Sequence, residues 1–89
     1  MNILEKADRI INYREQEKER QYGPFEESMS KASSIASILC NKEITTEDFY
    51  KIMVALKLSR LSFSNKEDTL LDAVAYIGAF NNYINGTKV

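Results

Sequence analysis

From Thr69 to Ile84 the chain holds its longest apolar stretch, and a single charge, Asp72, stands inside it. Leu70, Leu71, Ala73, Val74, Ala75, Tyr76, Ile77, Ala79, Phe80, Tyr83 and Ile84 surround that carboxylate, and no further charge follows until Lys88. At 100° per residue, Asp68, Asp72, Ala75, Tyr76, Ala79 and Tyr83 fall on one stripe, with Leu70, Val74 and Ile77 opposite. A helix of this kind has no solvent face. It is either wrapped by the rest of the chain or shared with a second subunit, and in 89 residues the second is expected. Burying a lone carboxylate costs several kcal/mol or more, so Asp72 is expected to be ion-paired, metal-bound or protonated.

The rest of the chain reads as helix, with no strand. The first helix spans about Ile3 to Gln21, with Ile3, Leu4, Ala7, Ile10 and Ile11 at helical spacing ahead of a charged run from Arg14 to Arg20. Tyr22-Gly23-Pro24 breaks it, and a second helix from Pro24 to Cys40 puts Phe25, Met29, Ala32, Ile35, Ala36 and Leu39 on one face among many serines. Thr45 with Glu47 and Asp48 reads as an N-cap with first-turn acids, opening a third helix to about Leu61. Ser64-x-x-Glu67 and Asn65-x-x-Asp68 both resemble capping boxes for a fourth helix that ends near Asn85-Gly86. The expectation is one all-α domain over residues 1–89, a four-helix bundle completed by oligomerisation as a dimer or tetramer.

Composition removes several function classes. The formal charge of −1, with bases scattered among acids, argues against a nucleic-acid partner. Without histidine, a His-ligated metal or a Ser/His/Asp triad is impossible. The single Cys40 forbids an internal disulfide and fits a reducing compartment, and no uncharged apolar run is long enough for a membrane span. These features are those expected of a soluble cytoplasmic protein.

What chemistry remains sits on the last two helices. On the third, Lys57 and Arg60 lie on or beside the arc formed by Phe49, Tyr50, Met53 and Leu56. The short connection to the fourth helix makes the two an antiparallel pair, so that these cations can face Asp68 and Asp72. One reading joins Asp72 to Lys57 or Arg60 in a structural ion pair. The other uses Lys57 and Arg60 for phosphate and Asp68 with Asp72 for Mg²⁺, with Glu27 as a weaker third ligand and Tyr22 or Tyr76 stacked on a base. Glu26 and Glu27 are otherwise first-turn acids of the second helix.

Tyr22-Gly23 before Glu26-Glu27-Ser28, then Met53 to Leu61 with Lys57-x-x-Arg60, then Glu67-Asp68 to Asp72 and Tyr76, resembles small phage and prophage proteins. Those in turn are similar to the all-α, MazG-like nucleoside triphosphate pyrophosphohydrolases, and the resemblance covers about residues 10–83. It implies an oligomeric helical bundle in a host cytoplasm, with Asp68 and Asp72 matching the carboxylates of the last motif. Members of that group use clustered acids and Mg²⁺ to split a triphosphate between its α and β phosphorus atoms. Here Glu26-Glu27 is followed by Ser28, Met29 and Ser30, and the third helix offers cations where acids are expected. The resemblance therefore points to binding a phosphorylated nucleotide or nucleotide-derived signal more than to cleaving it, and the phage setting adds sequestration of a host defence signal as a use. Pyrophosphohydrolysis and a structural or protein-interaction role are the alternatives.

Overall fold

The computed structural model describes residues 1–13 and 25–86, and every regular element among them is an α-helix. The four are α1 (Ile3–Asn12), α2 (Phe25–Cys40), α3 (Thr46–Leu61) and α4 (Glu67–Asn85). Helix α1 opens on a capping box in which the Asn2 side chain accepts from the Glu5 amide and the Glu5 carboxylate accepts from the Asn2 amide. Helix α3 repeats the device with Thr45 and Asp48, at the cap read from the sequence.

The expected length of the first helix is corrected. It ends at Asn12, with Tyr13 outside helical geometry at φ −132° and ψ 52°. The run from Arg14 to Gln21, Tyr22 and the breaker Gly23-Pro24 lie outside the described residues.

The start of α4 is corrected as well. Neither Ser64 nor Asn65 caps it; Lys66 occupies the N-cap position in extended geometry, without a side-chain cap bond. Glu67, the acid one box would need, is held instead by Lys6 of α1 at 2.7 Å. That ion pair depresses the Glu67 carboxyl and raises the Lys6 ammonium through their mutual hydrogen bond and charge. At the other end Gly86 adopts the left-handed conformation, φ 67°, that stops the helix at Asn85 as its sequence implied.

Helix α4 is the hub. It packs on α3 and on α1, while α2 packs chiefly on α3. Tyr50 of α3 meets Phe80 and Tyr83, and Lys57 meets Asp72, so α3 and α4 run antiparallel. In contrast, Lys6 meets Glu67 and Asn12 meets Asn82, so α1 lies parallel to α4. At Gly78 an added Cβ would stand 3.0 Å from the Ile11 side chain, so the missing side chain lets α1 approach α4 closely.

The core is thin. Met29, Tyr50 and Ala79 form its centre, flanked by Ile11, Phe25, Phe49, Met53, Tyr76, Phe80 and Tyr83. Ser33 and Ser37 fasten α2 to the start of α3, Ser33 Oγ lying 3.2 Å from Thr46 Oγ1 and Ser37 Oγ accepting from the Ile44 amide at 2.8 Å. Toward the end of α2, Ile38 and Leu39 are 79% and 80% exposed. Ile35 on that helix, and Leu70, Ile77 and Ile84 on α4, are exposed too. The apolar faces read from the sequence thus exist, but one chain covers only part of them.

Candidate functional site

Lys57 leaves α3 toward α4 with its stem laid along apolar neighbours, and its Nζ ends 3.2 Å from Asp72 Oδ2. The same ammonium stands 5.9 Å from the centre of the Tyr76 ring, within cation–π range. Tyr76 in turn packs against Phe25 of α2, with ring centres 5.3 Å apart and planes tilted by 57°. One cluster therefore ties α2, α3 and α4 together.

Its burial is the reverse of what the sequence implied. The Asp72 side chain is 45% exposed, while that of Lys57 is only 12% exposed. The apolar residues around Asp72 in sequence project in different directions from α4, and Asp72, paired with Lys57 of α3, stays open to solvent. The group that depends on its partner is the cation. Arg60, one turn further along α3, is exposed and enters no ion pair among the described residues.

The other residues singled out from the sequence do not converge on this pair. Asp68 is exposed in the first turn of α4. Glu27 is exposed and faces Lys31 one turn along its own helix at 4.0 Å. Among the described residues no three acidic or cysteine side chains come close enough to hold a metal ion, so Asp68, Asp72 and Glu27 do not assemble a three-carboxylate site. Tyr22 lies outside the described residues.

A second feature had no clear mark in the sequence. A cavity of about 370 Å³ opens between α1, α2, α3 and the last turns of α4, lined by Ile11, Asn12, Phe25, Glu26, Tyr50, Ala79, Asn82 and Gly86. Asn82 interrupts the apolar run, which was the only available sign of it. Tyr50 is 1% exposed, and its hydroxyl is pushed up from 10.0 to about 12, first by burial and then by the Glu26 carboxylate. A raised folded-state value means that this stabilisation is complete below pH 10 and disappears as the pH climbs through 12. The two-unit difference corresponds to roughly 2–3 kcal/mol. Urea midpoints measured from neutral to alkaline pH should fall over that window and fall less for Tyr50→Phe; identical pH profiles would refute the assignment.

Residues 2–84 match the family described as Domain of unknown function (DUF6378). The chain belongs to the DUF6378 family. No curated protein matches the chain, and no solved structure does. The DUF6378 match encloses Glu26, Lys57, Arg60, Asp68, Asp72 and Tyr76, so the charged cluster lies within the family domain, as does every residue of the cavity wall but Gly86. Because the family description states no activity, function is argued from the geometry.

Among the described residues no helix is long and apolar enough to cross a membrane.

Proposed function

We propose that this DUF6378 protein binds a phosphorylated nucleotide, or a molecule derived from one, beside the α3–α4 seam, and holds it without cleaving it. The observation that carries the reading is the pair of cations on successive turns of α3. Lys57 is fixed by Asp72 and Tyr76, and Arg60 is exposed and enters no ion pair among the described residues. A guanidinium presents a rigid fork of donors suited to phosphate oxygens, and a neighbouring ammonium adds charge without needing to move. Splitting a triphosphate demands several carboxylates around Mg²⁺, and among the described residues no such group is assembled. Asp72 and Asp68 are a poor resident Mg²⁺ site, because the Lys57 ammonium already stands 3.2 Å from Asp72 and would repel a second cation.

A homo-oligomer is part of this reading. Ile38, Leu39 and Phe63, the last 90% exposed, leave apolar area that a second copy would cover. A phage accessory role, sequestering a host signal, remains the biological setting we favour from the MazG-like resemblance.

The test incubates the protein with nucleotides and with cyclic and ADP-ribose-derived compounds, with and without Mg²⁺, and identifies bound and released molecules by mass spectrometry after heat denaturation. We expect one compound to be depleted and recovered intact, and Arg60→Gln to abolish its uptake while leaving the oligomer unchanged. Uptake that persists in Arg60→Gln would sink the site assignment.

One observation favours a second reading. The Lys57–Asp72 pair is complete within one chain, as a purely structural seam requires. In that case no compound is taken up, and substitutions at the pair change stability or assembly alone.

A further inference from the structure

Asn82 Oδ1 is buried and, among the described residues, is the only buried side-chain nitrogen or oxygen without a hydrogen-bond partner. Its orientation follows from a relay. Asp8 can only accept, so Asn12 gives it Nδ2, at 2.6 Å, and keeps its own Oδ1 for Asn82. Asn82 must then donate Nδ2, at 3.1 Å, which leaves its Oδ1 as the unused acceptor. The residue lines the 370 Å³ cavity, whose volume lies near the lower end of the roughly 300–1,000 Å³ range of small-molecule sites. Glu26 adds a second acceptor to the wall, while Phe25 supplies aromatic surface and the buried Tyr50 backs it. A wall of acceptors and rings selects a flat molecule that donates.

We propose that this cavity seats a heterocyclic base through its exocyclic amino group, which Asn82 Oδ1 and the Glu26 carboxylate accept. The inference deepens the nucleotide reading and rests on it for the rest of the ligand. Phe25 borders the cavity and packs on Tyr76, over which Lys57 stands, so a single aromatic pair lies between the base seat and the Lys57 ammonium. Asn82 Oδ1 has no exposed surface now, and contact with a base requires a small turn of that side chain. A base that offers a carbonyl in place of the amine would face two acceptors and be rejected.

Nucleosides test the seat without involving phosphate. Cytidine against uridine, and adenosine against inosine, differ at the amino position, and titrations followed by amide NMR read both affinity and location. We expect the amino member of each pair to bind about tenfold or more tightly, shifting the Asn82 side-chain amide and the backbone amides of Ala79 and Gly86. Asn82→Leu should erase the preference. Glu26→Gln, at an exposed position that leaves the fold intact, should weaken cytidine several-fold. Equal affinity within the pairs, shifts confined to other residues, no binding at millimolar nucleoside, or an unchanged response in Glu26→Gln would overturn the proposal. Arg60→Gln separates the two readings. Nucleoside binding that persists while phosphate adds nothing sinks the phosphate site alone, and nucleotide uptake that depends on Arg60 but ignores Asn82 sinks the base seat alone.

Discussion

Tyr50→Ala is expected to lower stability by about 3–5 kcal/mol, the usual result of truncating a buried aromatic side chain. Tyr50 is the largest fully buried side chain among the described residues, and its ring packs on Phe80 at 5.8 Å and on Tyr83 at 5.3 Å. Few residues share the load. Besides Tyr50, the buried apolar set holds one methionine and four alanines, so the void left behind has little around it that can close in. Against a total stability of roughly 5–15 kcal/mol for a domain, a loss of this size removes a large share of it. Urea denaturation followed by circular dichroism should show a sharply lower midpoint for Tyr50→Ala and a shift of about 1 kcal/mol or less for Tyr50→Phe, which keeps the ring. Equal midpoints for the two variants would show that the ring does not anchor the core.

The second large effect concerns the ion pair and is asymmetric. Asp72→Asn is expected to destabilise the protein by about 1–2 kcal/mol, because it strands the Lys57 ammonium in a site where only 12% of that side chain meets solvent. Lys57→Met should cost less than about 0.5 kcal/mol, since Asp72 is 45% exposed and water can replace its partner while the methionine keeps the packing. Combining the two should recover most of the loss from Asp72→Asn. A double-mutant cycle in urea decides the matter, and a larger cost for Lys57→Met than for Asp72→Asn would mean that the carboxylate is the dependent partner.

Much of the architecture was legible because it is encoded locally. The box at Thr45 and Asp48 needs only three residues of separation, and Gly86 stops α4 by its own backbone freedom. The antiparallel arrangement of α3 and α4 follows from the short connection between them. What escaped the sequence is long-range. The capping box expected at Ser64 loses its acid because Glu67 is taken by Lys6, 61 residues away. The exposure of Asp72 could not be read from a linear apolar run, since neighbours in sequence project to different sides of a helix. Asn82 and Asn12, 70 residues apart, meet only once α1 is docked. Lys57, Arg60, Asp68, Asp72 and Tyr76 stood out by residue type and spacing, whereas the cavity depends on how α1, α2 and α4 come together.

The parallel placement of α1 on α4 has a consequence for how the chain reaches this state. Contacts between α3 and α4 close a short loop, but the side-chain bonds that join α1 to α4 link residues 61 and 70 positions apart. The entropy of that closure is repaid only when a preformed surface receives the incoming helix. The link from Asn12 to Asn82 therefore forms and dissolves with the docking of α1, while the Asp8–Asn12 bond stays within that helix. Excursions in which α1 lifts away would open the cavity wall from one side while leaving the Lys57–Asp72 pair in place, giving the molecule a route by which a ligand can enter without global unfolding.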